Sequence, residues 1–107
     1  YNTLRSRGWL TVDDGAKKAL LDKGKSLLPS GIIGVEGEFT AGDPVNCVDG
    51  EGVLLAKGLV NYSAGDIRKI MGMKTSQIAA VLGYKDYDEV IHRDNLVISG
   101  DMKRNKN

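Results

Sequence analysis

Fourteen glycines stand among 107 residues, roughly twice the usual share of about 7%, with only two prolines beside them. Gly31, Gly34, Gly37, Gly42, Gly50, Gly52 and Gly58 break the middle of the chain into short apolar pieces. A chain punctuated in this way builds short strands joined by tight turns, because glycine supplies the backbone angles that such turns use. No apolar run approaches the roughly 20 residues of a membrane helix. At this length one domain is expected and a second is excluded. Hydrophobic residues make up 41% and charged residues 27%, a globular balance. Net charge is +1, so no global field draws the chain to nucleic acid or anionic lipid, and any basic surface must be local.

Trp9 opens an alternation through Leu10, Thr11 and Val12 that predicts a half-buried strand. Asp13 or Asp14 then caps a helix that runs through residues 16–22 and stops at Gly24, with Ala16, Ala19, Leu20 and Lys23 on one face. Pro29 and Gly31 make a turn that tucks in Leu27 and Leu28. Ile32, Ile33, Val35 and Phe39 form a second strand, in which Gly34 and Gly37 mark a bulge or the close approach of another backbone. Gly42 and Asp43 turn the chain into a third strand at 45–48. A hairpin over 49–52 leads to a longer one at 53–62, and the succession predicts an antiparallel meander. The spacing of Ser63 and Asp66 is that of a capping box, opening a helix through Ile67, Arg68, Ile70 and Met71 that ends near Gly72. Thr75 or Ser76 caps another over 77–82, with Ile78, Val81 and Leu82 on its apolar side. After a polar loop at 84–89, residues 90–91 and 96–98 read as two closing strands around a turn from His92 to Asn95. This order predicts the α+β class: a small, partly closed, mixed β pseudo-barrel of short strands with two to three helices. Residues 1–7 read as the end of a linker, 8–98 as the domain and 99–107 as a polar tail.

Little in the sequence points to catalysis. A phosphate-binding loop is missing, and the glycines at 31, 34 and 37 sit within a strand, with no helix behind them to present amides. Cys47 and His92 are the only residues of their kinds and have no second ligand set, so a metal site is not expected. Cys47 sits between apolar neighbours and reads as a buried strand residue without thiolate character. It has no partner for an intramolecular disulfide, which suits a reducing cytoplasm. His92 reads as a turn residue that hydrogen-bonds locally. Asp86, Asp88 and Glu89 share one solvated stretch where nothing pushes their pKa values apart. Lys17, Lys18, Lys23 and Lys25 crowd the first helix and its exit, and two readings stand side by side: a track for a phosphate backbone, or a solvated helix face. Tyr62, Tyr84 and Tyr87 read as core or rim residues in preference to stacking platforms.

Val12 to Ala16, the stretch KSLLPSGI at 25–32, and Gly42 with Asp43 resemble the PUA domain, a small RNA-associated pseudo-barrel. GLVNYS at 58–63 and LGYKDYDEVIHRDNLVI at 82–98 look like the C-terminal PUA domain of bacterial glutamate 5-kinases. The resemblance implies a parent transferase, cytoplasmic and homo-oligomeric, that phosphorylates the side-chain carboxylate of L-glutamate with ATP and magnesium, the first step of proline biosynthesis. In that family the ATP, glutamate and proline sites belong to an upstream amino-acid-kinase domain. No catalytic, cofactor or metal residue is therefore carried onto this chain, and its expected role is to modulate that kinase domain. The alternative is an RNA-binding module. Where PUA domains contact RNA they use the first helix, the turn after it and the closing strand, which here means Lys17, Lys18, Lys23, Lys25, Ser26 and Arg93.

Overall fold

The computed structural model describes residues 6–99; most of the expected linker end and polar tail lie outside them. The opening alternation forms β1 (Gly8–Val12), with Leu10 and Val12 buried and Trp9 facing outward. Asp13 caps α1 (Asp14–Lys23) by accepting the Ala16 amide at 2.8 Å, and the helix ends at Gly24 in the left-handed region. Its buried stripe centres on Leu20, while Lys23, expected on the same face, is exposed. Leu27 turns inward as expected, but Leu28 stays 42% exposed. One turn places one leucine in the core and its neighbour outside, since consecutive extended residues point to opposite sides.

The sheet has the order β2-β1-β3-β4-β5, with β2 (Ile32–Gly37), β3 (Pro44–Val48), β4 (Leu54–Leu59) and β5 (Leu96–Ile98). This is not the expected meander. Only β3 and β4 pair as a hairpin; β2 lies antiparallel to β1, and β1 stands between β2 and β3, parallel to the latter. The cause lies at Gly37, where φ is 93° and a Cβ would sit 2.7 Å from the Arg7 carbonyl oxygen. The chain leaves the sheet there, so Phe39 is a buried core residue instead of a strand residue, and the link to β3 passes the start of β1. The strand expected over 53–62 is the shorter β4.

Two helices follow, α2 (Ala64–Ile70) and α3 (Ile78–Leu82). Ser63 caps α2 through the Asp66 amide at 3.2 Å, as its spacing predicts. Neither Thr75 nor Ser76 caps the next helical segment: the Gln77 side chain reaches back to the Lys74 amide at 3.0 Å, while the Thr75 hydroxyl turns to the Asp88 carbonyl. Ile78 is buried but Val81 is exposed, because α3 is little more than one turn and covers the core with one side only. Residues 90–91 are no strand partner of β5. Ile91 makes a lone bridge to Leu27, and β5 pairs with β4. Gly58 allows this closure: a Cβ there would meet Ile91 at 2.7 Å and the Asn95 carbonyl at 2.8 Å. One apolar cluster joins Leu10, Val12, Val45 and Cys47 of the sheet to Leu20, Ile67, Ile70 and Ile78 of the helices. Among the described residues no helix is long and apolar enough to cross a membrane.

Candidate functional site

The lysine-edged first helix is the surface that the sequence singles out. Lys17, on its inner flank, donates to the Asp49 carboxylate at 3.1 Å, and so belongs to a structural pair. Asp49 is itself buried in the β3–β4 turn, where its other oxygen accepts the Glu51 and Val53 amides at 2.9 and 3.0 Å. The Val53 amide above all, then Lys17 and the Glu51 amide, hold this carboxyl below its ordinary range against the opposing effect of burial. Lys18, Lys23 and Lys25 are exposed along the helix and its exit.

Ser26 and Arg93, 67 positions apart, come together: the Arg93 amide donates to the Ser26 hydroxyl at 2.8 Å. The exit of α1 is thereby fastened to the turn that precedes β5. A cleft of about 280 Å³ lies between α1 and the turn after it, lined by Asp13, Ala16, Ala19, Ser26, Leu28 and Ser30 among others. Its single charged lining residue is Asp13, so the cleft offers an anion no attraction. Lys17 and Lys18 instead line a hollow on the helix itself with Leu21, where Asp14 and Asp22 match them in charge.

The remaining candidates are accounted for locally. Cys47 is fully buried and its thiol is pushed up to about 12 by burial, which removes the thiolate that nucleophilic chemistry needs. His92 accepts the Asp94 amide on Nδ1 at 3.1 Å, the local bond expected of it. Among the described residues no group of three His, Cys, Asp or Glu side chains is placed to hold a metal ion.

Sequence reasoning missed two clusters. Asp49 read as a turn residue, and nothing in its surroundings announced a lysine 32 positions away. The second cluster is aromatic. The buried Tyr62 hydroxyl donates to the Tyr87 carbonyl and accepts the Tyr87 amide at 3.0 Å, and the rings meet edge to face at 6.4 Å. Tyr84 donates to the Asp66 carboxylate, and that bond leads the causes that push its phenol up to about 12. The Tyr62–Tyr87 contact joins the stretches 58–63 and 82–98 that carried the resemblance, and the Tyr84 bond ties the second of them to the helix that follows the first. That the same segments needed each other was the available signal.

The sequence profile of the PUA domain matches residues 8–82. The chain belongs to the PUA domain family. Glutamate 5-kinase of Syntrophus aciditrophicus strain SB is 68% identical to this PUA domain over 104 residues, which is 97% of the chain and 27% of the relative. Glutamate 5-kinase of Teredinibacter turnerae is 60% identical over 90% of the chain and 26% of the relative. The chain thus spans about a quarter of the length of these curated relatives and corresponds to their C-terminal region. Among solved structures, a PUA domain from Aeropyrum pernix K1, determined as a tartrate complex, is similar with a TM-score of 0.59 at 25% identity, over 80% of this chain and 41% of that one. A chain of an archaeal box H/ACA sRNP complex is similar with a TM-score of 0.56 over 86% of this chain and 23% of that one; at 16% identity it supports the PUA fold alone.

Proposed function

We propose that this PUA domain is the non-catalytic C-terminal part of a glutamate 5-kinase and modulates the kinase domain that precedes it. The observation that carries this reading is the 68% identity, over nearly the whole chain, to a protein of that name. In this reading the upstream domain binds ATP, magnesium and glutamate and performs the phosphoryl transfer that begins proline biosynthesis. The domain described above contributes regulation, consistent with a buried, protonated Cys47 and with Asp13 and Asp49 taken up by a helix cap and an ion pair.

The test compares the kinase with and without this domain. Removal is expected to leave phosphoryl transfer in place while changing its proline inhibition or its magnesium dependence. Identical rate, inhibition and magnesium response in both forms would overturn the reading. RNA binding through Lys17, Lys18, Lys23, Lys25, Ser26 and Arg93 has weaker support, since Lys17 is paired with Asp49 and the adjoining cleft is lined by Asp13. Phosphate contacts lose affinity as salt competes, so a titration with structured RNA at about 50 and 200 mM salt reads them directly. No saturable binding is expected at the lower salt.

A further inference from the structure

Among the described residues the core cluster lies on one side of the sheet, and no helix packs over the other. On that open side the registers carry one row across all five strands: Glu36, Trp9, Asn46, Lys57 and Val97. A second row runs two positions further along through Gly34, Thr11, Val48 and Leu54, with Ile33 at the bulge beside it. An antiparallel sheet facing water presents polar side chains there. Here Trp9 is 45% exposed, Ile33 56%, Leu54 38% and Val97 49%. Val48 is buried and stands outside the core cluster. Within the first row the Asn46 Oδ1 is shut off from solvent and accepts no hydrogen bond. Exposed apolar side chains spread across one face of a sheet mark a surface that another surface covers.

We propose that this outer face is the seat of the kinase domain that precedes it in the same polypeptide, with Trp9 as the anchor. The proposal rests on the kinase reading given above. Three observations select this occupant. The relatives carry most of their length ahead of the matched region. The chain enters the sheet at Gly8, next to Trp9, and its approach is fixed by the Arg7 amide on the Pro44 carbonyl at 2.7 Å and the Ser6 hydroxyl on the Gly8 carbonyl. A domain tethered at that point is held beside the patch at high effective concentration, an advantage that a second copy lacks. The face also carries one acidic and one basic side chain in its first row, so it gives a phosphate backbone no excess of cations to follow.

Hydroxyl-radical footprinting read by peptide mass spectrometry tests it, comparing the full-length kinase with the 107-residue chain. Trp9 and Val97 are expected to oxidise about fivefold more slowly in the full-length protein, because an interface core excludes water. Tyr87 and Val81, exposed elsewhere, serve as controls and keep their rates. In the full-length Trp9→Ser, Val97→Ser double variant, both positions being surface residues, the protection of Ile33 and Leu54 is expected to be lost. Equal rates for Trp9 in the two wild-type forms would overturn the proposal. So would protection of the isolated chain that grows with its concentration, which would assign the face to a second copy. Kinetics distinguish the two readings: a domain whose removal changes regulation while its outer face stays open leaves the function standing and this docking surface refuted.

Discussion

Asp49 closes the β3–β4 turn with one carboxylate oxygen and holds Lys17 with the other. Its folded pKa lies below the ordinary 3.8, so the stability it contributes is fully present above that value and is lost as pH falls through the lower folded value. Asp49→Asn is therefore expected to lower the urea midpoint at neutral pH, with the gap from wild type narrowing below pH 3.8. A gap unchanged down to the acid limb would show that the charge is not what matters. Gly58 makes a steric claim of the same local kind. With Ile91 and the Asn95 carbonyl both under 3 Å from a new Cβ, Gly58→Ala is expected to cost about 2 kcal/mol in urea denaturation, as overpacking does. The sequence showed that a glycine in mid-strand needs a reason, but the reason sits more than thirty positions later in the chain and is not written beside it.

Caps and stops were legible element by element, because their signals are local. Asp13 ahead of α1, Gly24 behind it and Ser63 ahead of α2 all act where their spacing places them. The cap at Thr75 or Ser76 was not legible, since the helical turn already begins at Thr75, with Lys74 ahead of it, and the Thr75 hydroxyl turns to a distant carbonyl. The segment after α3 shows a similar dependence on distance. It has little helix or strand of its own before β5, and the Tyr62 hydroxyl bridges the amide and carbonyl of Tyr87. Tyr62→Phe keeps the ring and removes both bonds. It is expected to cost roughly 1–3 kcal/mol, the range for stranding a buried partner, and to speed amide exchange over residues 84–89 while leaving α1 unaffected. Unchanged exchange in that loop would mean that ring packing alone holds it.

At the scale of the molecule, α+β class and the PUA fold were readable, whereas the strand order was not. A meander follows from sequence adjacency; the observed sheet instead places β1 between β2 and β3 through a parallel pairing that no neighbouring residue encodes. The candidate RNA surface was legible as a cluster of lysines, but the pairing of Lys17 with Asp49 depends on that same long-range assembly. The open face of the sheet was hidden for the same reason: Trp9, Asn46 and Val97 form a row only once the registers are known. Sheet and helices share one core cluster, so unfolding in urea is expected as a single transition, coincident by Trp9 fluorescence and far-ultraviolet circular dichroism. A fluorescence change that precedes the loss of helix would divide the molecule into two units.

The position of β1 has a mechanical consequence. Tension applied ahead of Gly8 shears a strand bonded on both sides, against β2 and β3 together, whereas tension applied behind Ile98 peels β5 from β4 alone. The domain is thus a stiff handle for whatever is attached in front of it and a compliant one for whatever follows.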